Sequence, residues 1–198
     1  MPTQEAKEFL DAKERALAAL ATACEVKEVD DKILPVLTQI NSLPGYYTLS
    51  SCAGRILLLQ IPQLGDKHHA VFLGRWHQPT TLEAVKAAAA QATTGVLWVL
   101  GQSPILHIGA DSLTGAERLV KAGNAAGFKN SAIRSLGKRV IVEVASTERL
   151  DAPIGKDGIL FCNEDYLFLL VDLGNEILRR SEDKLSRFTR HLGTLIQL

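Results

Sequence analysis

Between Tyr46 and Ala145 the extended segments of this chain come in groups, three and then two, each before a helix, and a last two after it, and this spacing restricts the fold more than any other feature. Tyr46 to Leu49 and Arg55 to Ile61 read as strands, followed by Ala70 to Trp76 after the polar turn Gly65-Asp66-Lys67-His68. A helix capped by Thr80 or Thr81, with Glu83 in its first turn, then runs through the alanines to Ala92. The pattern recurs. Val96 to Leu100 and Ile105 to Ile108 are expected to form a hairpin across Gly101-Gln102-Ser103-Pro104. A helix from Leu113 to Ala126 stops at Gly127, a glycine suited to a helix C-terminus. A third pair, Ser131 to Ser135 and Arg139 to Ala145, turns at Leu136-Gly137-Lys138. A doubly wound parallel sheet needs single strands alternating with helices, and that pattern is absent. The expectation is an α+β fold of duplicated ββα units, a mixed or antiparallel sheet packed with helices.

Helices flank this core. From Thr3 to Ala23, Phe9, Ala12, Ala16, Leu20 and Ala23 share one stripe, which reads as an amphipathic helix. A shorter helix, with Asp30 or Asp31 as N-cap, carries Ile33, Val36, Leu37 and Ile40. Asn163 caps a long last helix whose expected buried stripe is Tyr166, Leu170, Leu173, Ile177, Leu185, Phe188 and Leu192. Arg179, Arg180, Lys184, Arg187 and Arg190 crowd its distal half, either as a dipole-matched solvated face or as part of an RNA surface. The 198 residues are read as one domain: N-terminal helices over 1–45, a sheet-helix core over 46–162 and a C-terminal helix over 163–198.

Charge and cysteine content exclude several classes. Lys plus Arg is 22 and Asp plus Glu is 22, so a polycation coating nucleic acid is ruled out and any nucleic-acid site must be a local patch. Cys24, Cys52 and Cys162 are far apart and form no CxxC, which argues against a structural zinc or a disulfide scaffold. A reducing, cytoplasmic interior suits them. The polar, acidic start Met1-Pro-Thr-Gln-Glu does not fit a signal peptide. From Ala87 to Ala110 no Asp, Glu, Lys or Arg occurs, but Thr93-Thr94-Gly95 and Gly101-Gln102-Ser103-Pro104 break the run, so no membrane span is expected.

No two of the 15 glycines are spaced Gly-x-Gly, and no Gly-Lys-Ser/Thr occurs, so the usual dinucleotide and phosphate loops are missing. The most unusual stretch is Thr48-Leu49-Ser50-Ser51-Cys52-Ala53-Gly54-Arg55. Its hydroxyls, thiol, backbone N–H groups and one guanidinium can meet an anion; the alternative is a turn with a cysteine acting as a small hydrophobe. His107 on the apolar strand Ile105-Leu106-His107-Ile108, and His77 after Trp76, are either hydrogen-bonded structural residues or acid–base groups. Trp76 and Trp98 can stack on a base or pack in a core. Lys129-Asn130-Ser131 and Lys138-Arg139 lie in turns, where phosphate contact and plain exposure fit equally.

Taken in order, these segments resemble one family, the wybutosine-pathway tRNA methyltransferases of archaea and eukaryotes. The resemblance rests on Tyr47-Thr48-Leu49-Ser50-Ser51-Cys52-Ala53-Gly54-Arg55, Trp76-His77 and Pro104-Ile105-Leu106-His107-Ile108. It continues through Ala126-Gly127-Phe128-Lys129-Asn130-Ser131, Gly137-Lys138-Arg139, Ser146-Thr147 with Pro153, and Asn175-Glu176-Ile177-Leu178. Ala53 stands where the family often has a second Ser, and Ala132 where Gly often follows Asn-Ser.

The resemblance implies a stand-alone enzyme with a fold other than the Rossmann methyltransferase. It also implies methyl transfer from S-adenosylmethionine to the N(4) nitrogen of the aminocarboxypropyl-demethylwyosine base beside the anticodon of phenylalanine tRNA. On that footing Ser50, Ser51, Cys52, Gly54 and Arg55 are expected to grip the cofactor, with Arg55 pairing its carboxylate. His107, then His77, is the expected base or base-orienting group. Lys129, Asn130, Ser131, Lys138 and Arg139 would hold RNA and Trp76 would stack on the target base; no metal is expected. Two rivals remain at this point, a non-catalytic tRNA-binding module and an oligomeric scaffold protein.

Overall fold

The computed structural model describes residues 3–66 and 68–194. Met1 and Pro2 of the polar N-terminal stretch, and Lys67 of the expected polar turn, lie outside the described residues. In chain order the elements are α1 (Gln4–Glu25), α2 (Leu34–Ser42), β1 (Tyr46–Cys52), β2 (Arg55–Ile61), β3 (Val71–Trp76), α3 (Leu82–Ala89) and β4 (Val96–Gln102). They continue as β5 (Ile105–Ala110), α4 (Leu113–Ala126), β6 (Ala132–Leu136), β7 (Val140–Ala145), β8 (Arg149–Lys156), β9 (Ile159–Leu160) and α5 (Glu164–Thr194). Every strand pairing among the described residues is antiparallel, so the fold is α+β and not doubly wound.

The chain forms two compact units. The first draws on Met1–Ala53, Pro104–Thr147 and Glu182–Leu198 and holds a four-stranded sheet in the order β1-β5-β7-β6. One face of that sheet is apolar by alternation: Leu106 and Ile108 on β5, with Val142 and Val144 on β7, are fully buried. They join a core with Val36, Leu37 and Ile40 of α2 and Ala116, Leu119 and Ala126 of α4. Phe128 and Phe188 meet edge to face in it, ring centres 5.9 Å apart. Gly127, at φ 104°, ends α4 as expected, because the left-handed turn there is open to glycine at no steric cost. Gly109 is fixed by a different constraint. A Cβ there would run into the ring of Tyr47, its direct cross-strand partner on β1.

The second unit, Gly54–Ser103 with Glu148–Ser181, holds a five-stranded sheet in the order β3-β2-β4-β8-β9. Its core gathers Leu58, Val85, Val99, Ile154, Leu167, Leu170 and Val171. Thr81 caps α3 by accepting from Ala84 N, and Asn163 Oδ1 accepts from Tyr166 N at the start of α5.

Four expectations need correction. β4 and β5 do not form a hairpin: β4 pairs with β2 and β8, and β5 with β1 and β7. Only Ser103 and Pro104 separate them; a two-residue hairpin loop needs positive φ at its first residue, which Ser103 does not adopt, and a type I′ loop would also need it at Pro104, which is locked at negative φ. β1 and β2 are split between sheets in the same way, whereas β2 pairs with β3 and the expected third pair, β6 and β7, is antiparallel. On α5, Leu167, Leu170, Val171 and Leu178 are buried, whereas Tyr166 and Leu173 are exposed. Leu170, Leu185, Phe188 and Leu192 are buried as expected, so the correction is confined to the first half of the helix, where spacings of three, four and seven group Leu167, Leu170, Val171 and Leu178. Finally, α2 begins after Ile33 without a side-chain cap, and Asp30 Oδ1 instead accepts from Lys32 N in the preceding turn. The strands β8 and β9 have no counterpart in the sequence reading.

Candidate active site

In the first unit the polar face of the sheet carries a row of side chains that crosses all four strands. Alternation sets it up: on β5 His107 lies between buried Leu106 and Ile108, and on β7 Glu143 lies between buried Val142 and Val144. Both side chains are therefore turned to the opposite, accessible face. The register pairs His107 directly with Glu143, and their Nε2 and Oε2 atoms are 3.1 Å apart.

The two edge strands complete the row through irregularities. On β1 the register slips between Thr48 and Ser51, and Ser50, within that slip, places Oγ 3.0 Å from His107 Nδ1. On β6 it slips between Ile133 and Ser135, and the extra residue is Arg134, whose Nε donates to Glu143 Oε1 at 3.0 Å. A bulge re-aims a side chain that strict alternation would send elsewhere, and here two bulges do so at opposite edges of one sheet. The resulting order in space is Ser50, His107, Glu143, Arg134.

Charge reinforces the geometry. The Arg134 hydrogen bond holds the Glu143 carboxyl below its ordinary range, against the opposing effect of burial, with His107 adding to the same direction. The Glu143 side chain is only 17% exposed, so this anion is partly shielded from water. Arg134 and Glu143 were missed in the sequence. The available signal was a single carboxylate in the apolar run Val140-Ile141-Val142-Glu143-Val144-Ala145, but only strand register reveals what faces it.

Next to Ser50, the Ser51 Oγ is buried with no hydrogen-bond partner among the described residues. Cys52, half-buried, ends the strand. Around the end of α4, Lys129 Nζ donates to the Asn124 carbonyl at 2.8 Å and the Ser131 hydroxyl donates to the Phe128 carbonyl at 2.7 Å. Asn130 is held through its backbone N–H to the Ala145 carbonyl. Lys138 and Arg139 are exposed between β6 and β7.

The second unit holds the other expected site residues. Gly54, at φ 98°, opens the segment into β2, and Arg55 Nε donates to Gln102 Oε1 at 2.9 Å. His77 Nδ1 lies 3.1 Å from the Gly54 carbonyl oxygen, so this histidine is engaged by backbone of its own unit. The Trp76 ring lies over Gly74 of the same strand, where any Cβ would collide with it. Among the described residues no group of three or more His, Cys, Asp and Glu is placed to hold a metal ion, and no helix is long and apolar enough to cross a membrane.

Comparison with known proteins places this architecture. Over 193 residues the chain is 42% identical to the Pyrococcus furiosus tRNA(Phe) 7-((3-amino-3-carboxypropyl)-4-demethylwyosine(37)-N(4))-methyltransferase 1, covering 97% of this chain and 98% of that protein. It is 44% identical over 190 residues to a methyltransferase of the same description from Thermococcus sibiricus, covering 96% of each. The solved structure of the PH1069 protein from Pyrococcus horikoshii superposes with a TM-score of 0.92 at 41% identity, over 96% of this chain and 98% of that one. The family described as Methyltransferase TYW3 matches residues 11–194, and the chain belongs to that family.

Proposed function

We propose that this protein transfers a methyl group from S-adenosylmethionine to the N(4) nitrogen of the 7-aminocarboxypropyl-demethylwyosine base at position 37, in the anticodon loop of tRNA(Phe), in the cytoplasm. The observation that carries this reading is 42% identity, spread over 97% of the chain, to a relative named for that reaction. Family membership and the antiparallel α+β architecture support it.

When bound, the cofactor supplies a methyl group already activated by its sulfonium centre. The protein must then align acceptor and donor, exclude water and take one proton from the acceptor nitrogen. His107 is the candidate for that proton, since its ring stands on the accessible sheet face with both nitrogens in hydrogen bonds. Two residues fit the cofactor on separate grounds. Ser51 offers a buried hydroxyl with an unmet hydrogen bond, which in an apolar setting costs about 1–3 kcal/mol until a ligand satisfies it. Arg55 spends its Nε on Gln102, and its Nη groups make no hydrogen bond among the described residues, which suits a carboxylate. Cys52 and Gly54 lie in the same stretch of chain and His77 is the second candidate base. Lys129, Asn130, Ser131, Lys138 and Arg139 are proposed RNA contacts, with Trp76 as a stacking face. A target in a loop is already unpaired, so presenting it costs less than flipping a base from a duplex.

The test is to incubate the purified protein with labelled S-adenosylmethionine and tRNA(Phe) bearing the precursor base, then to analyse the nucleosides. One added methyl on that base is the expected product. Tight tRNA binding with no methylated product would leave a non-catalytic tRNA-binding module.

A further inference from the structure

We propose that Arg134 and Glu143 fix the protonation of His107, making Nδ1 the base and the Ser50 hydroxyl the atom through which the proton travels. This deepens the methyltransferase reading and rests on it for the identity of the proton donor, but the side-chain arrangement stands apart from it.

Arg134 cannot lose its charge and keeps Glu143 ionised, and an ionised carboxylate can only accept hydrogen bonds. At 3.1 Å from Glu143 Oε2, His107 Nε2 must therefore carry the hydrogen. In neutral imidazole the other nitrogen then has a free lone pair, so Nδ1 accepts from Ser50 Oγ at 3.0 Å. Ser50 is exposed and stands at the end of the row opposite Arg134. A substrate can reach either ring nitrogen of His107 only by displacing one of these bonds.

The proton step balances. The methyl–sulfur bond breaks as the nitrogen–methyl bond forms, and the donor departs as a neutral thioether, leaving the positive charge on the acceptor nitrogen. That nitrogen's N–H bond breaks as the Ser50 oxygen takes the proton, and the hydroxyl's own proton passes to His107 Nδ1. The positive charge ends on an imidazolium facing the Glu143 carboxylate. This reading gives Ser50 to the proton path rather than to the cofactor. Glu143 and Arg134 are positioning residues, acting through His107.

The test has two arms. In the first, nitrogen-15 NMR of the histidine-labelled protein alone, near neutral pH and with H107Q for assignment, reads the tautomer of His107. The expected signature is hydrogen on Nε2 in the wild type and a mixed tautomer in the isosteric E143Q. Hydrogen on Nδ1 in the wild type would overturn the proposal. This arm needs no substrate, so it stays readable if the methyltransferase reading fails. In the second arm, S50A and E143Q should each slow single-turnover methylation by about 10–100-fold while binding of S-adenosylmethionine and of tRNA changes less than about twofold. R134K should retain more activity than R134A. A loss of cofactor affinity in S50A that accounts for its lost rate would return Ser50 to the cofactor and overturn the relay.

Discussion

His107 on β5 and Glu143 on β7 are direct cross-strand partners, and both point away from the apolar face that their neighbours bury. The pairing joins two histidine contacts, one to a hydroxyl and one to an anion, on a rigid sheet rather than on a loop. Sites built on regular elements hold geometry better than sites on loops.

Glu143 makes stability depend on pH in a defined direction. Its folded-state pKa lies below the ordinary value of 4.5, held there by Arg134 on β6 and also favoured by His107 on β5. The stabilisation is therefore present above that value and lost as pH falls through the folded-state pKa. Urea unfolding of the wild type and E143Q should show a stability gap at neutral pH that narrows below pH 4.5. A gap constant from neutral pH down to acid would contradict the assignment.

Gly109 is a packing requirement. In G109A the added methyl meets the buried Tyr47 ring and must displace it, which should cost about 1–3 kcal/mol as overpacking. Because Tyr47 also tilts against Phe9 of α1, with ring centres 5.3 Å apart, the aromatic circular dichroism signal should change with it. Unchanged unfolding midpoints would show that the ring has room to move.

The cofactor role proposed for Arg55 is tested by binding rather than by rate. Calorimetric titration of S-adenosylmethionine into R55A should show weaker binding while the folded signal persists, since a charge-assisted pair is worth about 1.5–3 kcal/mol. Undiminished affinity would assign Arg55 to its Gln102 contact and nothing more.

The basic residues separate by what already holds them. Lys129 donates to the Asn124 carbonyl at the end of α4, whereas Lys138 and Arg139 are exposed in a turn. Replacing Lys138 and Arg139 together by alanine should lower the salt dependence of tRNA binding by one to two phosphate contacts, a slope change of about 1–2. K129A should change it less. Equal effects would show that Lys129 gives up its helix contact to reach RNA.

Much of the architecture could be read from the chain because the signals were local. The stripe Phe9, Ala12, Ala16, Leu20 of α1, the Thr81 cap, the Asn163 cap and the Gly127 stop each depend on residues within a turn or two. Sheet membership was not local. The segments flanking Ser103-Pro104 look like a hairpin by proximity, and only the lack of a glycine to take the positive φ at Ser103 argues otherwise. The site divides in the same way. Ser50 and His107 stood out as a hydroxyl in an odd loop and a histidine in an apolar strand, and the fold brings these two together. Arg134 did not stand out, because a one-residue bulge decides where it points.

The most direct measurement is single-turnover transfer of labelled methyl from S-adenosylmethionine to tRNA(Phe) carrying the precursor base, comparing wild type with H107A. The account predicts one methyl on that base with the wild type, and a rate in H107A lower by about 100-fold or more with tRNA still bound. An unmodified base in the presence of the wild-type protein, both substrates being shown to bind, would contradict it.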